Sequence, residues 1–215
     1  MRIVEPKVEI ITPINGEEIL KHIEKVGRVC YKSESNIDDS SAEKFVSGLI
    51  KRGHEAVIEH FNITVKFTTD RGISHEIVRH RIASYAQEST RYCNYSQDKF
   101  GEEITVIKPL FFEPWNKDLD NRCETVGYGL WARSCEQGEK AYFNLLKKGY
   151  TPQEARSVLP NSLKTEIIMT ANETEWQHIV NLRAKGTTGK PHPQMVEIMQ
   201  PWYEELKVLS EGRIS

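Results

Sequence analysis

The sequence predicts an α+β fold: one domain over residues 1–215, with helices packed on a largely antiparallel sheet. Three observations point that way. In "FNITVKFTTD" (61–70) and "SLKTEIIMTA" (162–171), apolar residues alternate with polar ones, which is the period of a half-buried strand. Long stretches elsewhere repeat apolar residues at helical spacing. The predicted strands and helices do not alternate with the regularity that a doubly wound parallel sheet requires.

Taken in order, residues 2–12 hold Ile3, Val4, Val8, Ile10 and Ile11 and predict a strand. Residues 16–32 place Ile19, Ile23, Val26 and Val29 on one helical face. A second helix follows Ser40, with Glu43 three residues on in a capping-box pattern. Its apolar face is Phe45, Val46, Leu49 and Ile50, and it stops near Gly53. After the strand at 61–70, Asp70 is placed to cap a helix through "GISHEIVRHR". Residues 84–100 read as a loop, and "EITVIKP" as a strand closed by Pro109. Residues 118–148 read as a helix, with Gly127, Gly129 and Gly138 as points where it can bend. Thr151, Pro152 and Glu154 mark a helix start and Pro160 its stop. Two further helices, over 174–184 and 194–209, flank the loop "KGTTGKPHP".

Composition narrows the function. A hydrophobic fraction of 38% supplies a core. Lys and Arg number 29 against 31 Asp and Glu, a net charge of -2. That balance argues against a general nucleic-acid binder, so any anion site must be local. No apolar run approaches the ~20 residues of a membrane span, and "MRIVEPKVEI" lacks the apolar block of a signal peptide. The four cysteines (Cys30, Cys93, Cys123 and Cys135) form no C-x-x-C pair and read as reduced packing thiols in a cytoplasmic protein.

The densest chemistry lies in "RHRIASYAQESTRY" (79–92). Arg79, His80 and Arg81 stand together, and Ser89, Thr90 and Arg91 follow. On a helix, residues two apart do not share a face, so Arg79 and Arg81 would serve different groups. The bland alternative is a cationic helix end facing water, favoured by the macrodipole. Two hydroxyls and the planar fork of Arg91 suit a phosphate, although a loop bonded to itself would use the same groups. Neither "GHEAVIEH", with His54 and His60, nor the pair His75 and His80 has the H-E-x-x-H spacing, so no metal site is expected. No G-x-S-x-G elbow, Walker loop or G-x-G-x-x-G turn occurs.

The segment "RHRIASYAQES", Arg-His-Arg followed by serine after seven residues, resembles the signature of the flavin-dependent thymidylate synthases. "GHEAVIEH", "STRY", "ARSVLP", "NETEWQHIVNLR" and "HPQMVEI" extend the likeness along nearly the whole chain. The resemblance implies a homotetramer with active sites shared between subunits. It implies methylation of dUMP to dTMP, with methylenetetrahydrofolate as carbon donor and FAD, reduced by NADPH, as hydride carrier. Neither nucleic acid nor membrane is among the implied partners.

Residue by residue, the resemblance puts His54, Ala56, Arg79, His80, Arg81, Asn172, Glu173, Thr174 and His178 at FAD. It puts Glu76, Arg79, Gln87, Glu88, Ser89, Thr90, Arg91, Arg156 and Arg183 at the nucleotide. Arg183 would favour the pyrimidine ionised at N3, and Ser89 would orient the nucleotide, so no cysteine nucleophile is needed. On an α-helix His178 and Arg183 would lie about 140° apart and serve adjoining ligands. Ala56, Glu76 and Ala86-Gln87 depart from the commonest family pattern, and the loop at 184–193 is longer than in many relatives. Two competing readings remain at this point: a nucleic-acid-binding module, and a flavoprotein oxidoreductase that does not methylate.

Overall fold

The computed structural model describes residues 1–112 and 122–209, so the first residues of the helix expected at 118–148 lie outside it. The elements in order are β1 (Arg2–Val4), β2 (Lys7–Ile10), α1 (Gly16–Tyr31), α2 (Ser41–Lys51), β3 (Asn62–Asp70), α3 (Arg71–Ile77), β4 (Ser84–Gln87), β5 (Thr105–Ile107), α4 (Arg122–Lys147), α5 (Pro152–Ala155), β6 (Lys164–Asn172), α6 (Glu173–Val180) and α7 (Pro193–Leu209). Two sheets form, one ordered β2-β3-β6-β4 and one pairing β1 with β5.

Antiparallel pairing joins the two best-patterned strands. Glu173 N bonds Phe61 O at 3.0 Å, Arg71 N bonds Leu163 O at 3.1 Å, and the Thr64 and Thr170 hydroxyls meet at 2.9 Å. Partner numbers fall as strand numbers rise, so the strands run in opposite directions. The small sheet is the exception: Arg2, Ile3 and Val4 pair in parallel with Thr105, Val106 and Ile107.

The chain forms two compact units. The first comprises Met1–Lys7, Phe67–Arg79 and Ala86–Ile167, and the second Val8–Lys66, His80–Tyr85 and Ile168–Ser215. In the first, Tyr95, Ile104, Val106, Cys135, Tyr142, Ala155 and Leu163 form the core. Helix α4 runs unbroken through its glycines. A Cβ on Gly138 would stand 2.9 Å from Val158 O, so this glycine serves close packing on the turn at Arg156–Val158. Asp70 caps α3 as expected, accepting from Ile73 N at 2.7 Å.

In the second unit, α1 and α2 pack through Gly27, where a Cβ would meet the Phe45 ring at 2.8 Å. Buried Glu24 accepts from Arg28 at 2.7 Å and from Ser41 at 2.9 Å, so its charge is paired. Trp176 and Trp202 stack with ring centres 4.5 Å apart, and Trp176 Nε1 donates to Ile63 O at 3.0 Å.

Local expectations needed revision in several places. Residues 2–12 divide into two short strands. Ser40 makes no cap, because its hydroxyl donates to Asp38 Oδ1 at 2.8 Å instead. The expected loop at 84–100 begins with strand β4, and Glu88 N just beyond it bonds Glu166 O at 2.9 Å. Helix α3 stops at Ile77, so Arg79 lies beyond it in a turn and His80 and Arg81 in irregular chain. Among the described cysteines, Cys135 is buried and Cys93 packs on a core, but Cys30 is exposed.

Candidate active site

In the first unit the residues after β4 gather around a cleft. Thr90 is buried, and Arg156 Nη1 donates to its hydroxyl at 3.2 Å. The cleft holds about 520 Å³, and its lining includes Arg71, His75, Thr90, Gln153, Arg156 and Asn161. Arg91 is exposed and donates through Nε to Gln153 Oε1 at 3.1 Å. Ser89 begins a turn in which its Oγ accepts from Arg91 N (3.3 Å) and its carbonyl from Cys93 N (2.9 Å). The self-bonded loop weighed above is therefore present, alongside a cationic cleft that suits an anion.

Two expected nucleotide contacts are turned to other work. Gln87 Nε2 donates to Ser74 Oγ at 2.9 Å and to Thr165 Oγ1 at 3.3 Å. The Glu88 carboxylate accepts from Tyr95 at 3.3 Å and from Lys164 at 3.1 Å. These bonds hold the end of β4, and the Arg71 guanidinium adds a bond to Glu88 O at 3.3 Å. Glu76 is half-buried on α3, and its carbonyl accepts from the backbone N of exposed Arg79 at 3.2 Å.

In the second unit the cluster centres on His80. The three residues of Arg-His-Arg part company: His80 is 5% exposed, while Arg79 and Arg81 face solvent. Arg183 Nε donates to His80 Nε2 at 3.2 Å, the Glu175 carboxylate lies 3.7 Å from Nδ1, and the His178 ring stands edge-on at 6.1 Å. Burial, then the Arg183 charge and then His178, lower the His80 pKa to about 4. Burial also raises the Glu175 carboxyl, against a smaller opposing effect of His178.

The expected 140° between His178 and Arg183 does not hold. Helix α6 ends at Val180 and passes into a π-helical turn, Asn181–Lys185. The wider turn changes the angular step, and both side chains meet His80.

The remaining expected flavin residues are spread over several elements. His54 is exposed, and its Nδ1 lies 2.8 Å from Tyr31 Oη; Ala56 is also exposed, in the 3-10 turn Glu55–His60. Asn172 caps α6, accepting from Glu175 N at 2.8 Å. Glu173 and Thr174 are half-buried in the first turn of that helix. Sequence reasoning missed Arg71, Gln153, Tyr31 and Glu175. Arg71 follows the cap Asp70 directly, a sign that marked a helix start and gave no hint of a cleft.

His80 also predicts how stability depends on pH. Above about 6.5 neither folded nor unfolded chain carries its proton. As pH falls from 6.5 toward 4, the unfolded chain binds a proton that the folded one refuses, so stability is lost across that window. The melting temperature of the unaltered protein is expected to fall more steeply between those pH values than that of His80→Gln. Parallel curves would refute it.

Residues 15–209 match the family described as Thymidylate synthase complementing protein. The chain belongs to this family. Curated relatives include the flavin-dependent thymidylate synthases of Pyrococcus furiosus (29% identity, covering 71% of this chain and 58% of that protein) and of Mycobacteroides abscessus (30%, covering 85% and 73%). Thus the chain spans 58% of the length of the Pyrococcus relative. Crystal structures of a UMP/dUMP methylase, PolB from Streptomyces cacaoi, share the fold: with 5-Br UMP bound, the TM-score is 0.75 at 19% identity, covering 100% of this chain and 99% of that one. With 5-Br dUMP the TM-score is 0.76 at 18% identity. Family membership bears out the likeness drawn from the Arg-His-Arg segment, and the shared fold bears out the α+β class.

Proposed function

We propose that this chain methylates dUMP reductively to dTMP, as its flavin-dependent relatives are named for doing. The observation that carries this reading is the cleft in which Arg156 and buried Thr90 meet, with Arg71 and His75 on its wall. Its cationic donors match a nucleotide phosphate. Ser89 and Arg91 would complete the grip, and Gln87 and Glu88 would shape it from behind. Arg183 would stand by the pyrimidine and favour the N3-ionised ring, which is richer in electrons at C5. In the homotetramer that the sequence resemblance implies, the phosphate grip and Arg183 need not come from one subunit.

The donor set also fits FAD. Arg79 and Arg81 are exposed cations suited to a pyrophosphate, and His54, His178 and the start of α6 offer polar groups for the remainder. Glu76 and Ala56 would border the nucleotide and flavin respectively. Bound FAD would supply hydride, with NADPH as its reductant and methylenetetrahydrofolate as the carbon source.

Cys93 supports a mechanism without a thiol nucleophile. Burial and the Glu88 charge raise its pKa, whereas a nucleophilic cysteine needs it lowered. Among the described residues, no helix is long and apolar enough to cross a membrane, and no group of His, Cys, Asp or Glu is placed to hold a metal. We place the protein in the cytoplasm, as a single functional domain over 1–215.

The test is the visible spectrum of the purified protein, loaded with FAD, with and without dUMP. Flavin bands that shift on adding dUMP are expected. A protein that takes up neither FAD nor dUMP would overturn the reading. Tight duplex binding with a steep salt slope would favour the nucleic-acid module instead.

A further inference from the structure

We propose that His80 is a positioning residue for Arg183: its unprotonated Nε2 accepts the Arg183 Nε–H bond and holds the guanidinium in one orientation. A guanidinium only donates, so at 3.2 Å the Nε2 atom must present a lone pair. The imidazole proton then sits on Nδ1, facing the Glu175 carboxylate at 3.7 Å. Both the backbone and the ring of His80 are held. Tyr85 Oη donates to His80 O from β4, and the α6 groups Glu175 and His178, with Arg183 of the π-helical turn, are the titratable or charged groups around the ring. Protonating Nε2 would set one N–H against another and place two cations together, so the bond exists only with neutral His80. Burial and the neighbouring Arg183 charge keep it neutral down to about pH 4.

The π-helical turn gives the arrangement its purpose. An α-helical continuation would carry Arg183 round to a different angle, whereas the wider turn brings it onto His80. A side chain of four rotatable bonds is then fixed before any ligand arrives, which lowers the entropy cost of using it. That His80 serves turnover rests on the reading of Arg183 as the group beside the pyrimidine. The hydrogen bond itself does not.

Two measurements separate these. The first is the Arg183 Nε–H resonance in arginine-labelled protein, assigned by its loss in Arg183→Lys. It is expected to be protected from exchange in the unaltered protein and in His80→Gln, whose amide oxygen can accept. It should be lost in His80→Leu, and lost near pH 4 in the unaltered protein but not in His80→Gln. Protection that survives in His80→Leu, or that shows no difference between the unaltered protein and His80→Gln on acidification, would overturn the proposal. The pH comparison stands even where His80→Leu does not fold.

The second measurement is turnover and the N3 ionisation of labelled dUMP bound to FAD-loaded enzyme. His80→Leu should lose about tenfold in kcat with KM for dUMP little changed, and His80→Gln should recover most of it. Bound dUMP in His80→Leu should ionise at a pH closer to that of free dUMP. A leucine variant with normal kcat and normal N3 ionisation would overturn the catalytic purpose. Failure of the unaltered protein to bind dUMP would overturn the nucleotide reading, while the resonance would still decide the bond.

Discussion

Replacing Arg183 by lysine is expected to leave FAD bound and to slow dTMP formation by a factor of about 10 or more, roughly 1.4 kcal/mol of barrier. Lysine keeps the charge but loses the flat, two-pronged donor. It also loses the Nε–H that meets His80, so its ammonium is not held in one place. The companion change, Cys93→Ser, is expected to make dTMP at near-normal rates. Cys93 packs against the core formed by Tyr95, Tyr142 and their neighbours, and burial there raises its thiol pKa. Glu88 pushes it the same way, and Arg91, two residues off, is turned to Gln153. Single-turnover assays on flavin-checked protein decide the matter. A dead Cys93→Ser beside a normal Arg183→Lys would show that the reaction runs through the thiol.

Arg156→Ala is expected to weaken dUMP binding by about 1.5–3 kcal/mol, the scale of a charged hydrogen bond. Arg156 is the larger target because its Nη1 holds Thr90 on the cleft wall. Removing it deletes a cation and also frees the hydroxyl it orients. Arg91→Ala is expected to act in the same direction, since Arg91 sits beside Gln153 on the cleft's rim. Deoxyuridine, which lacks the phosphate, should be nearly indifferent to both changes. Titrations in which dUMP and deoxyuridine weaken equally would remove both arginines from the phosphate grip.

Sequence alone determined the elements whose signal is local. The alternation in β3 and β6, the Asp70 cap, the Thr151-Pro152-Glu154 start and the helical face of α1 all depend on neighbours within a few residues. It also determined the family, because the Arg-His-Arg…Ser segment and its companions are a matter of residue identity and order. Tertiary structure decided the rest, since long-range partners outbid local ones. β4 exists because it pairs with β6, not because Ser84, Tyr85, Ala86 and Gln87 have a strand's apolar period. Arg71 reached the cleft, and Gln87 turned inward, through Thr165, 94 and 78 residues away in sequence. The fate of Arg-His-Arg shows the division most plainly. As letters, they are three similar cationic or titratable groups. In the fold, burial strips the charge from His80 and gives it to Arg183 as an acceptor, while Arg79 and Arg81 stay exposed to solvent. Local spacing carries no information about which ring will be desolvated, because desolvation depends on chain that arrives about a hundred residues later.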